Sequence, residues 1–185
     1  MDTRDALLAA ALQVLEQDGQ AQFSTRAICT IADVTAPTLY HHFGSADGLL
    51  SAAIAAAFEQ FLEAKRATSG SSDPVVALRA GWDNYVRFAA ERPRLYAAMM
   101  ARILQGADIP AADEARAMLV ERIEAIAAAG RLATSKQAAA QVAMASANAA
   151  ALLHVAAAQT GADPPSATEV VERLRDAAIE SICKP

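Results

Sequence analysis

Apolar residues recur along most of this chain at spacings of three and four, and no stretch alternates with the period of two that a half-buried strand requires. The first stripe, Leu7, Ala10, Ala11, Val14 and Leu15, predicts a helix from about Thr3 to Asp18, stopped by Gly19. Ser24 or Thr25 caps a second, short helix that ends near Ala32. Asp33 then lies in a turn, and Val34 fills the space between two helices. Thr35 caps the third helix, where Pro37 sits early enough to cost no backbone bond, and Gly44 ends it. Ser45-Ala46-Asp47 opens a long fourth helix to about Ala67, and Thr68 to Pro74 reads as a loop. Five more helices are expected at about 75–91, 94–105, 111–129, 135–160 and 166–183. Pro93, Gly106 with Pro110, Gly130, and Gly161 with Pro164-Pro165 separate them. The predicted fold is all-α with about nine helices. A three-helix N-terminal module, residues 1–50, is joined by helix 4 to a helical bundle over 51–185.

Composition agrees with the pattern. Hydrophobic residues make up 54% of the chain, much of it alanine, and aromatics only 5%, so the core should rest on close helix–helix contacts. The net charge of −5 gives no overall basic field of the kind that announces nucleic acid. Cys29 and Cys183 lie near opposite ends, which argues against a disulfide framework and for a reduced, cytoplasmic setting. The acidic, amphipathic N-terminus does not read as a signal peptide. The longest apolar stretch, Val142 to Ala158, is interrupted by Ser146, Asn148 and His154. It falls short of the roughly 20 strongly apolar residues of a membrane span, so a soluble protein is expected. No nucleophile–base pair, glycine-rich phosphate loop or metal-ligand spacing is present, so neither an enzyme nor a cofactor is expected. His41 and His42 point about 100° apart on a helix and lack a completing ligand.

Residues 24–43 carry the strongest functional signal. Ile28, Ala32, Val34, Leu39 and Phe43 are the apolar points that lock two short helices at a steep angle. Val14 and Leu15 supply a lid, and Leu49 and Leu50 close it. Thr25, Arg26, Thr35, Thr38, Tyr40 and His41 are left facing outward. Such a helix-turn-helix sets its second helix in the major groove of DNA and anchors it on flanking phosphates.

From Leu7 to Ile54 the chain resembles the tetracycline-repressor (TetR) family of bacterial regulators. The match is carried by Leu7-Leu8-Ala9-Ala10-Ala11, Gly19, Thr25-Arg26-Ala27-Ile28, Ala32-Asp33-Val34-Thr35, Thr38-Leu39-Tyr40-His41-His42-Phe43 and Leu49-Leu50. The resemblance implies that Thr35, Ala36, Pro37, Thr38 and His41 face bases or nearby sugar. It implies that Tyr40, Thr25 and Arg26 hold phosphates, which set register while base contacts set sequence. Three positions depart from the family's usage. Asp33 stands where the turn usually has glycine, Ala36 where many members are basic, and Ala46 where a lysine is frequent. Through residue 50 only Arg4 and Arg26 oppose Asp2, Asp5, Glu16, Asp18, Asp33 and Asp47. Modest affinity with few ionic contacts is therefore expected.

In the bundle, Trp82, Tyr85, Tyr96, Met99, Met100, Ile103 and Met118 offer adaptable apolar walls for a small-molecule effector. Phe58, Phe61 and Leu62 would form the floor. Asn148 and His154 stand out as polar residues on an alanine-rich helix, and His154 and Arg102 are the ionisable groups expected to reach inward. The resemblance further implies a homodimer through the last two helices, reading a palindromic double-stranded operator. The alternative is a helical ligand-binding or interaction protein whose DNA-binding module is degenerate.

Overall fold

The computed structural model describes residues 2–67, 71–107, 109–161 and 169–184, side chains at 64, 65 and 67 excepted. Among these residues the chain forms helices and no strand. They are α1 (Thr3–Gln17), α2 (Thr25–Ala32), α3 (Ala36–Phe43), α4 (Ala46–Ala67), α5 (Pro74–Glu91), α6 (Pro93–Leu104), α7 (Pro110–Ala128), α8 (Lys136–Thr160) and α9 (Glu169–Ile182). The expected boundaries agree to within a residue or so wherever glycine, proline or a hydroxyl cap marks an end. A 3-10 turn at Gln20–Gln22 was not legible; Gly19 at φ 78° turns the chain into it. Residues 68–70 of the expected loop, and the expected start of the last helix at 166, lie outside the described residues.

Packing divides the chain into two compact units, each discontinuous in sequence: Met1–Phe61 with Arg94–Ala111, and Leu62–Pro93 with Ala112–Pro185. This grouping differs from the expected functional division at residue 50.

In the first unit Leu7, Leu15, Ile28, Leu39 and Leu49 have no exposed surface, and α6 adds buried Leu95, Tyr96 and Met99. α6 is also tied down by charge. Arg94 donates to the main-chain oxygen of Gln17 at the end of α1. The Arg102 guanidinium donates to both oxygens of Asp47, at 2.8 and 3.0 Å, and to Ser51 Oγ at 2.7 Å. Such a forked, charge-assisted pairing fixes direction as well as distance.

In the second unit α8 packs against α5 and α9, and α5 also meets α9. Leu78, Ile123, Ile126, Ala139, Ala143 and Ile182 share one buried cluster. Asp73 caps α5 through Val75 N at 2.8 Å, and Arg131 grips the same carboxylate at 2.9 and 3.0 Å. That guanidinium, then the backbone bond from Val75, hold the Asp73 carboxyl below the usual carboxylate range. The chain end returns to the α7–α8 turn: Ala133 N donates to Ile182 O and Lys184 N to Arg131 O, both at 2.8 Å.

On α9, Val171, Ala178, Ile179 and Ile182 face the core, whereas Val170 is 54% exposed, because neighbours on a helix diverge by about 100°. α8 is long and apolar enough to cross a membrane by length and composition, with a mean hydropathy of 1.3. It is nonetheless packed between two helices, and its uncovered side carries Ala145, Ala149, Leu152 and Ala156.

Candidate nucleic-acid interface and bundle cavity

The helix-turn-helix is built from local chemistry. Ser24 Oγ accepts from Ala27 N at 3.2 Å and so starts α2. α2 stops at Asp33, which adopts the left-handed conformation at φ 53° and ψ 47°. Asp33 is the one non-glycine residue at positive φ among those described, and short polar side chains tolerate that region best. Val34 N then reaches back to Cys29 O at 3.0 Å, closing the turn. Thr35 begins α3, but not by capping it with its side chain. Its hydroxyl instead pairs with Thr38 Oγ1 at 2.9 Å, so each threonine orients the other on the outer surface.

The core between the helices is smaller than the pattern implied. Ile28 and Leu39 are fully buried and Cys29 nearly so, while Ala32, Val34 and Phe43 are only half-buried. Burial pushes the Cys29 thiol up, which keeps it protonated and inert. The Arg4 guanidinium sits 5.4 Å from the centre of the Phe43 ring, which closes the end of α3. Gly48 was not singled out from the sequence, yet a Cβ there would lie 2.2 Å from Phe43 O. The first turn of α4 therefore rests directly on the backbone that ends α3.

On the outer surface Arg26, Thr35, Pro37, Tyr40 and His41 are exposed, and Thr25, Ala36 and Thr38 half-exposed. Tyr40 keeps 47% of its surface, with its ring outside the core. Thr25, Arg26, Asp33 and Ala36 border a shallow concavity between α2 and α3. One contiguous face thus holds hydroxyls, one guanidinium and an imidazole, with the Asp33 carboxylate at its edge. Such a face can hydrogen-bond phosphates and base edges. The charge balance of residues 1–50 is changed from outside that segment, because Arg102 of α6 neutralises Asp47.

The residues expected to line one effector cavity separate between the two units. Phe58, Phe61, Tyr96, Met99, Met100 and Ile103 belong to the first. There Phe58 and Phe61 stack at a tilt with ring centres 5.4 Å apart, and Ile103 is 36% exposed. Arg102 belongs to that unit too, engaged with Asp47 rather than reaching into the bundle. Trp82, Tyr85, Met118 and Asn148 belong to the second unit, where α5, α7 and α8 enclose a cavity of about 50 Å³. Trp82 and Tyr85 line it; Met118 and Asn148 do not. The Tyr85 hydroxyl donates to Asn148 Oδ1 at 2.8 Å, and Trp82 Nε1 donates to Ser146 Oγ at 2.9 Å. Leu119, Arg122 and Met144 also line the cavity and were not singled out from the sequence. The available signal was the spacing Ala115, Leu119, Arg122 on α7, which puts a charge in register with an apolar stripe. His154 is buried on α8, and desolvation lowers its imidazole from its ordinary 6.5.

Comparison with known proteins gives this architecture its place. Residues 7–53 match the family model of the bacterial regulatory proteins of the tetR family. No curated protein sequence matches the chain. Among solved structures, a protein of unknown function from Rhodococcus sp. RHA1 is similar at a TM-score of 0.81 and 24% identity, covering 100% of this chain and 96% of that one. A TetR family transcription regulator from Marinobacter aquaeolei VT8 gives 0.73 and 18%, covering 99% and 96%. The fatty acid degradation regulator of Bacillus halodurans gives 0.74 and 15%, covering 97% and 95%. These likenesses establish the fold along essentially the whole chain. The tetR-family helix-turn-helix sequence thus stands at residues 7–53, and the chain as a whole shares its all-helical fold with solved structures that include TetR family transcription regulators.

Proposed function

We propose that this protein is a cytoplasmic transcriptional repressor that binds a palindromic operator as a homodimer and leaves it when a small, largely apolar molecule occupies the bundle of α5, α7 and α8. The observation that carries this reading is the outward face of the helix-turn-helix. Thr25, Arg26, Thr35, Thr38, Tyr40 and His41 present hydrogen-bonding groups on two helices held rigidly by Ile28 and Leu39. In this role α3 enters the major groove, with Ala36, Pro37, Thr38 and His41 at base edges. Tyr40, Thr25 and Arg26 hold phosphates on either side.

Support for the dimer comes from α8 and α9. Leu152 and Val170 are 53% and 54% exposed, beside small residues that let a second pair of helices approach closely. Two recognition helices about 34–36 Å apart would then meet successive major grooves. An effector acts by favouring a dimer in which that spacing is wrong.

A gel-shift titration with the DNA upstream of the protein's own gene tests the reading. Retardation at low salt is expected, and Tyr40→Ala should weaken it about tenfold through one lost hydrogen bond to phosphate. Its thermal midpoint should stay unchanged, because the ring lies outside the core. Unchanged affinity of that variant would refute the docking scheme. The acidic balance of residues 1–50 favours one other reading, a ligand-binding protein whose module no longer grips DNA. Absence of retardation at every salt concentration would support it.

A further inference from the structure

The cavity enclosed by α5, α7 and α8 holds one polar group that has no partner among the described residues. Of its ten lining residues only Trp82, Tyr85 and Arg122 carry polar side-chain hydrogens, and two of these are committed. Trp82 Nε1 is taken by Ser146 and the Tyr85 hydroxyl by Asn148. Among the described residues nothing hydrogen-bonds or ion-pairs with the Arg122 guanidinium. Glu121, next to it along α7, supplies only a through-space attraction, and desolvation is the larger influence on the charge. The guanidinium lies so close over α5 that a Cβ at Gly81 would come within 2.2 Å of Arg122 Nη1. The remaining wall is apolar: Leu78, Ala115, Leu119, Ala143, Met144 and Ala147. A partly desolvated charge with no counter-ion against such a wall is costly, and a ligand that brings the counter-ion removes the cost.

The geometry points to an effector that is a small amphipathic monoanion: an apolar body on Trp82, Tyr85 and Met144, with a terminal carboxylate on Arg122. This rests on the reading of the bundle as an effector site and names the chemistry that the site selects. The planar guanidinium offers paired donors matched to a carboxylate. At about 50 Å³ the cavity holds little more than a water molecule, so binding must enlarge it. The wall that can move is identifiable. Leu119 and Met144 line both this cavity and an open groove of about 860 Å³ between α7 and α8. Methionine, unbranched and flexible, can swing aside to join the two spaces.

Trp82 is the single tryptophan of the chain, so its fluorescence reports on this cavity alone. The intact protein is titrated with octanoate and phenylacetate, and in parallel with octanamide and phenylacetamide, which keep the shape and lose the charge. At least one carboxylate should saturate the signal and bind roughly ten- to a hundredfold more tightly than its amide. Arg122→Gln should abolish that preference. Gly81→Ala keeps the charge but displaces the guanidinium, and should reduce the preference while the far-ultraviolet circular dichroism stays native. Equal binding of acid and amide, a preference that survives Arg122→Gln, or saturation by neither carboxylate would each overturn the proposal. The same ligands are then added to operator-bound protein. Carboxylates that bind through Arg122 without releasing DNA would leave this site standing and refute the effector reading. Amides that bind equally well and release DNA would do the reverse.

Discussion

Single residues in this fold are decided by a few close approaches. Gly48 is one, because the space for a Cβ is occupied by the carbonyl oxygen of Phe43, a backbone atom that cannot swing aside. Gly48→Ala is therefore expected to destabilise the first unit by about 1–3 kcal/mol, the usual cost of overpacking, seen as a lowered thermal midpoint. A midpoint equal to the wild type would mean that the α3–α4 junction yields. His154 is decided by solvation. Its folded-state imidazole titrates below 6.5, the ordinary value it regains on unfolding, so in acid the unfolded chain takes up the proton first. Stability from this group is full above about 6.5 and is lost as pH falls below that value towards the lowered one. His154→Leu should flatten that limb of the stability–pH curve, and an unchanged limb would assign it to other groups. Much at this scale was legible, since Ser24, Asp33, Pro37 and Gly44 mark positions where only a few residue types fit. Gly48 and Arg122 were not, because what matters about each is an atom on another helix.

At the scale of elements, α3 presents hydroxyls and an imidazole rather than cations, and Arg26 on α2 is the one guanidinium on the exposed face described. Few counterions should be released on docking. The slope of log K against log salt should stay shallower than about −6, measured by gel shift or fluorescence anisotropy across a salt series. A steeper slope would show that phosphate contacts come from elsewhere on the chain. The helices themselves were readable from stripes and stops, yet their facing was less so. On α9 the apolar pair Val170-Val171 looks like one face in sequence, and the backbone turns one outward and the other inward. On α8 alanine occupies buried and exposed positions alike, so the pattern says helix without saying which side is covered. Chemistry alone also says nothing of grouping: the aromatic and methionine residues on α4, α5 and α6 are alike in kind and fall in two different units.

For the whole molecule, the partition of the chain could not be read from local pattern. The pairing of Arg102 with Asp47 and Ser51 spans more than fifty positions, and neither end announces the other. A fragment cut after α4 therefore lacks part of its own unit, including the guanidinium that anchors the start of α4. Such a fragment should unfold at a lower temperature and less cooperatively than the first unit does in the intact protein. A fragment as stable as that unit would show α6 to be dispensable.

The same crossing of the chain sets a timetable for synthesis. At roughly 5–20 residues per second the ribosome takes about 3–10 s to pass from the end of the first unit's N-terminal segment to the end of the segment that completes it. During that interval α5 emerges between the two halves of a unit to which it does not belong. The nascent chain must keep Leu49, Ile54 and Phe58, all buried in the finished protein, from finding other partners until α6 arrives.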